Sequence, residues 1–322
     1  MKRRTLLAGV AAAGALDARG AGAAEAYPDR PVRVVVPFPA GGATDVWCRI
    51  VTTPMAAELG QSFVVDNRSG AAGMIGADAV AKAVPDGYTI LFTISSLVQS
   101  PVVFRRSPYD VEADFLPVGQ LGGTNLVLAI GLGVPGTTLE EFIAAGRGKD
   151  YSFGSYSPAS TGHVFGQVFS DIAGLGMTHV GYRGEAPELV DLLSGRIQCA
   201  LVSLTSAKGY LQNGRLRGLA CLGRQRTRSL PDVPTFLELG YPEEFVWTGG
   251  AGMLAPARIP PAAHAKLVAA FKNATEDGDV QRRLAEQDFI LDYLPPDAHR
   301  AELRRMHAVW TALIQRTGIT AE

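Results

Sequence analysis

A chain of 322 residues with 30 Lys plus Arg against 31 Asp plus Glu has a formal charge of -1, no excess with which to hold nucleic acid or an anionic membrane. With 47% hydrophobic and 19% charged residues and no low-complexity tract, disorder is excluded for the bulk of it. Single hydrophobic cores stop growing at about 300 residues, so the length favours two domains.

The chain begins with Lys2, Arg3 and Arg4, followed by an apolar, Ala-rich stretch over residues 6–16 and an A-x-A pattern at Ala24-Glu25-Ala26. This reads as an export signal cleaved near Ala26, too short to span a bilayer. The Arg3-Arg4 pair admits twin-arginine as well as general export. No Cys stands at the cleavage point, so lipid anchoring is not supported.

Beyond it, apolar runs of strand length alternate with helical patterns. Residues 32–36 are a β-branched run; Pro39-Ala40-Gly41-Gly42 then leads into a helix over about 44–59. A second β-turn-α unit follows, with a strand at 63–65, the turn Ser69-Gly70-Ala71-Ala72-Gly73 and a helix over about 74–83. Residues 89–93 make a third strand. Such alternation predicts parallel sheets covered on both faces. Further along, Thr138-Leu139-Glu140-Glu141 is a capping box, and Val164, Phe165, Val168, Phe169 and Ile172 form a helical stripe. Strands are predicted at 151–154, 179–182, 197–202, 216–222 and 252–254, with helices at 188–194, about 262–273 and about 297–317. The Arg-rich, Pro-bearing stretch 224–234 reads as a crossing linker.

A glycine-rich turn between strand and helix exposes bare backbone N-H groups at a helix N-terminus, which favours an anion. Two such turns occur within 35 residues, and neither is a nucleotide signature: the first lacks the Lys-Ser/Thr of a P-loop, and Gly70-x-x-Gly73-x-x-Gly76 is not G-x-G-x-x-G. Together they point to a carboxylate-sized anion. Ser160 and His163 raise the question of an exported serine hydrolase, but Pro158 stands where a nucleophile elbow needs Gly, and their spacing suits an N-cap. The other imidazoles form no metal motif. Cys48, Cys199 and Cys221 sit in apolar contexts expected of buried free thiols; were a bridge to form, Cys199 and Cys221 on neighbouring strands would be the pair.

Several motifs closely resemble the Bug family of substrate-binding receptors, which serve tripartite tricarboxylate transporters. They are Val36-Pro37-Phe38-Pro39-Ala40-Gly41-Gly42-x-x-Asp45, Asp66-Asn67-Arg68-x-Gly70-Ala71-x-Gly73-x-Ile75-Gly76-Ala77, Pro85-Asp86-Gly87-Tyr88-Thr89, Tyr182-x-Gly184-x-Ala186-Pro187 and Leu230-Pro231-Asp232-Val233-Pro234. The resemblance covers essentially the whole chain after the signal.

It implies an α/β, two-lobed periplasmic binding protein fold, each lobe a mainly parallel sheet flanked by helices, with the ligand in the interdomain cleft. Lobe 1 would hold 27–123 plus 228–322 and lobe 2 124–227, hinged near Gly122 and Gly123. One carboxylate of a small organic ligand would be met by Phe38, Ala40, Gly41, Gly42 and Asp45 of the first turn and Ala72, Gly73 and Met74 of the second. Other walls would come from Thr93, Ser95, Ser96, Ser157, Ser160, Thr161, Tyr182, Gly184 and Ser203. The resemblance implies a monomeric periplasmic receptor without cofactor or chemistry, delivering its ligand to membrane transporter subunits; a sensor serving a membrane signalling protein is the alternative. Residues 202–206 stand where many members carry an Asp, which weakens the case for an ammonium-bearing ligand.

Overall fold

In a computed structural model that describes residues 27–104 and 107–319, the chain folds around two sheets joined by two adjacent crossings. The export segment lies outside the described residues. In the first sheet, β1 (Val32–Val36) pairs in parallel with β2 (Phe63–Asn67) and β3 (Thr89–Ile94). It is completed by β4 (Phe115–Gly123), β10 (Ala251–Pro256) and β11 (Ile290–Leu294) in the order β11-β4-β10-β3-β1-β2. The second sheet has the order β7-β6-β8-β5-β9, built from β5 (Leu126–Gly131), β6 (Ser152–Ser155), β7 (Thr178–Gly181), β8 (Cys199–Ser203) and β9 (Leu216–Cys221).

Parallel pairing is confined to β1, β2 and β3 and to β6, β7 and β8; every pair involving β4, β5, β9, β10 or β11 is antiparallel. The cause is the double crossing. β5 and β10 start at the crossings and run away from the cleft, opposite in sense to β1, β3, β6 and β8, whose C-terminal loops open onto it. Ligand sites in open α/β sheets lie at such carboxyl ends.

The helices that matter to the site follow those strands: α1 (Ala43–Leu59) after β1, α3 (Ser96–Phe104) after β3, α6 (Thr161–Ala173) after β6, α7 (Glu185–Ser194) after β7 and α8 (Leu204–Gln212) after β8. The C-terminal α11 (Pro296–Thr317) packs on α3 and β4 and brings Trp310 edge-on to Trp247, with ring centroids 5.1 Å apart, and to Phe165 of α6. One apolar core therefore runs across both lobes on this face, and separate cores fill the far face of each sheet.

Two expectations change. The sequence places residues 228–247 in lobe 1, yet after β9 the chain turns back along the second sheet: Cys221 N-H bonds to Pro234 O, Phe236 N-H to Cys221 O and Gly223 N-H to Phe245 O. Those backbone bonds move the second crossing to residues 248–250, beside the first, where Gly249 N-H bonds to Thr124 O. The three cysteines are free and buried, and Cys199 and Cys221 are not on neighbouring strands, because β5 lies between β8 and β9. No described helix is long and apolar enough to cross a membrane.

Candidate functional site

The lobes meet across the cleft through few but specific contacts. Trp47 of α1 donates its indole N-H to Thr205 Oγ1 at 3.1 Å, Gln99 of α3 donates to Thr161 Oγ1 at 3.2 Å, and Lys208 pairs with Asp288 at 2.8 Å. Between them lies a small cavity of about 60 Å³. Lobe 1 contributes Phe38, Pro39, Gly42, Ala43, Thr44, Trp47, Ile94 and Ser95; lobe 2 contributes Tyr156, Thr161, Gly184, Glu185, Ala186 and Ser203; Thr124, Leu126, Gly249 and Gly250 close it at the crossings.

The start of α1 leaves backbone donors without partners. Its N-cap is Gly42, which has no side chain to cap the helix, and among the described residues the amides of Ala43 and Thr44 bond to no other group. These first-turn N-H groups are orphans of helix geometry, and both residues line the cavity. Asp45 serves the turn instead: it accepts from Gly41 N-H, from Asn67 and from Arg49, with which it forms an ion pair at 3.0 Å. Burial alone would raise its carboxyl, but those donors together hold it below the usual range.

The other anticipated residues separate into groups. Phe38, Gly42, Ser95, Thr161, Gly184 and Ser203 line the smaller cavity. Ala72, Gly73, Ser157 and Tyr182 line a larger outer cleft of about 410 Å³, which shares Phe38, Pro39, Tyr156 and Gly184 with the cavity. A Cβ at Gly73 would lie 3.5 Å from the Phe38 ring, so that ring stands against the second turn. Thr93 borders a minor void with His299, Met74 is in the core and Ser96 is buried beside Gly73. Ala40 and Gly41 line neither space. Ser160 caps α6 by accepting from His163 N-H, while His163 Nδ1 accepts from Ala159 N-H. The pair is thus used by the helix terminus rather than set as nucleophile and base.

Sequence reasoning missed Trp47, Thr124 and above all Glu185. The only signal for Glu185 was an acid directly after Gly184 at the start of a helix, which elsewhere is a solvated first-turn acid. Here it is 9% exposed, and its carboxylate reaches β8 and α8, accepting from Ser203 N-H at 2.8 Å, Ser203 Oγ at 2.7 Å and Ser206 Oγ. The segment 202–206, read as lacking an acid, thus receives one from α7. One turn on, Glu188 is wholly buried with neither oxygen partnered among the described residues; burial, then the nearby Glu185 charge, push its carboxyl well above the ordinary range.

Residues 47–318 match the family described as the tripartite tricarboxylate transporter family receptor. The BugT protein of Bordetella pertussis is 33% identical over 299 residues, 92% of this chain and 91% of that protein. Among solved structures, the fold is similar to R. palustris Rpa4515 with adipate, at 30% identity and TM-score 0.87 over 91% of this chain and 99% of that one. It is similar also to MatC from Rhodopseudomonas palustris with bound malate, at 27% identity and TM-score 0.81 over 89% and 100%.

Proposed function

This chain belongs to the tripartite tricarboxylate transporter receptor family, and we propose that it captures a small organic carboxylate in the cavity between its lobes and delivers it to membrane transporter subunits. The family consists of solute receptors, not enzymes, which removes the hydrolase alternative. The observation that carries the reading is the uncapped start of α1: Ala43 and Thr44 line the cavity, and their amides have no partner among the described residues. Such amides bind an anion without a cationic side chain, and their bonds strengthen when the lobes exclude water. Adipate and malate, held by the two structural relatives, are small carboxylates of this class.

The receptor works as a monomer in the periplasm, with its leader removed near Ala26; N-terminal sequencing of the exported protein should begin at or near Tyr27. The binding claim is tested by thermal shift against a panel of small carboxylates, each beside its primary amide. A ligand present at about 100 Kd adds roughly 2.7 kcal/mol of stability, so a true ligand raises Tm visibly while its amide does not. If no carboxylate in the panel shifts Tm, the reading falls.

A further inference from the structure

Among the described residues, one charged side chain lines the cavity, and it is a carboxylate. Glu185 faces a space otherwise walled by Phe38, Trp47, Ile94, Leu126 and Tyr156, with no Lys, Arg or His in the lining. Nearby cations are committed elsewhere, Arg49 to Asp45 and Lys208 to Asp288. Its partners are an amide and two hydroxyls, all neutral. Of its two oxygens, Oε2 accepts both hydroxyls, while Oε1 accepts only Ser203 N-H and keeps a lone pair free. The cavity is therefore polarised: donors at the start of α1 on lobe 1, an anionic acceptor at the start of α7 on lobe 2.

We infer that this receptor selects a monocarboxylate whose far end carries an ammonium or other N-H donor, and rejects dicarboxylates. The ligand carboxylate takes the amides of Ala43 and Thr44, its apolar body crosses between Phe38 and Trp47, and its N-H end meets Glu185 Oε1. A second carboxylate would face Glu185 across apolar walls, where like charges are poorly screened and neither can hydrogen-bond the other. A plain alkyl end would leave the Glu185 lone pair dry and unpaired. The inference rests on the carboxylate-receptor reading and goes further by assigning the chemistry of the ligand's other end.

The test uses three matched series with three to six carbons: dicarboxylates from malonate to adipate, the ω-amino acids of equal length, and the unsubstituted monocarboxylates. Calorimetric titration of the exported protein should show the best ω-amino acid binding roughly tenfold or more tighter than its matched dicarboxylate and monocarboxylate. In Glu185→Gln, which keeps the size but not the charge, that preference should collapse. A wild type that prefers the dicarboxylate, or binds the plain monocarboxylate equally well, overturns the inference while leaving the receptor reading intact. So does an unchanged ratio in Glu185→Gln. If no member of any series binds, the receptor reading itself fails and this inference with it. The wild-type ratios decide alone should the variant not fold.

Discussion

Gly123 and Gly249 touch backbone to backbone: a Cβ built on Gly123 would lie 1.2 Å from the carbonyl oxygen of Gly249. The two strands that connect the lobes are thus held side by side at a distance no side chain permits. Gly123→Ala must push the crossings apart, and backbone cannot yield as a flexible side chain can. A loss of about 3 kcal/mol or more is expected in urea unfolding. Gly133→Ala, where nothing lies within 4 Å, is the control and should stay within about 0.5 kcal/mol. Equal behaviour of the two would contradict the crossing geometry.

Gly184 sets how closely the lobes approach. A Cβ there would come within 2.9 Å of Pro39 Cγ on the opposite lobe, and its φ of +112° adds strain in any state of the cleft. Only the contact depends on closure, so Gly184→Ala should weaken binding beyond its effect on stability. Overpacking of about 1–3 kcal/mol corresponds to roughly 5- to 150-fold in Kd. Small-angle scattering of the ligand-saturated variant should retain the larger radius of the free protein, whereas the wild type contracts.

The two glycines of the first turn do different work. Gly42, the N-cap of α1, has φ -76° and carries no left-handed strain, so Gly42→Val acts through the cavity: its Cβ lies 3.3 Å from Pro39 O and its methyls crowd the anion. Affinity should fall by about 1–3 kcal/mol. Gly41 has φ +79° and open space around it, so Gly41→Val should cost about 1–2 kcal/mol of stability and little affinity. Exposed Arg183 lines only the outer cleft, and Arg183→Gln should change Kd least. Titration of all three at low and high salt separates these roles; abolished binding in Arg183→Gln alone would replace the amide model by an ion pair.

Glu188 should make stability fall with rising pH. Its folded-state value is raised, so above the ordinary value near 4.5 the unfolded chain ionises while the folded one resists. Stability is full below that pH and declines above it, by at most about 1.4 kcal/mol per pH unit for one proton. Glu188→Gln removes the titration, and its urea midpoint should therefore gain on the wild type progressively from pH 5 to 8. Parallel curves would mean that Glu188 is ionised in the fold.

His163 and His179, stacked with ring centroids 3.6 Å apart, act in the opposite direction. Burial lowers His163 to about 4; burial and then the His163 charge lower His179 to about 3. Because both lie below the ordinary 6.5, their contribution is intact above pH 6.5 and is lost as pH falls toward 4 and 3. His179→Gln should flatten the loss of stability between pH 6.5 and 4 by up to one proton, roughly 1.4 kcal/mol per pH unit. Chemical unfolding at half-unit pH steps measures it.

Local sequence determined the elements whose signals are local. The β-branched run of β1, the glycine turn behind it and the Thr138 cap, whose hydroxyl accepts from Glu141 N-H, were all legible because each depends on residues within a few positions of itself. By contrast β4, β5, α3, α8, α10 (Gly278–Glu286) and β11 carried no distinctive local pattern and are held by their neighbours. The site divides in the same way. That a helix with Gly42 as its N-cap presents bare amides follows from the chain alone, since no side chain there can cap it. That Glu185 is the charge in the cavity does not, because an acid in a helix's first turn belongs in water until another segment covers it. Here β8 and α8, with Ser203 and Ser206, arrive from 18 and 21 residues away and turn a surface acid into a buried acceptor, a change written in tertiary contact and in no local motif.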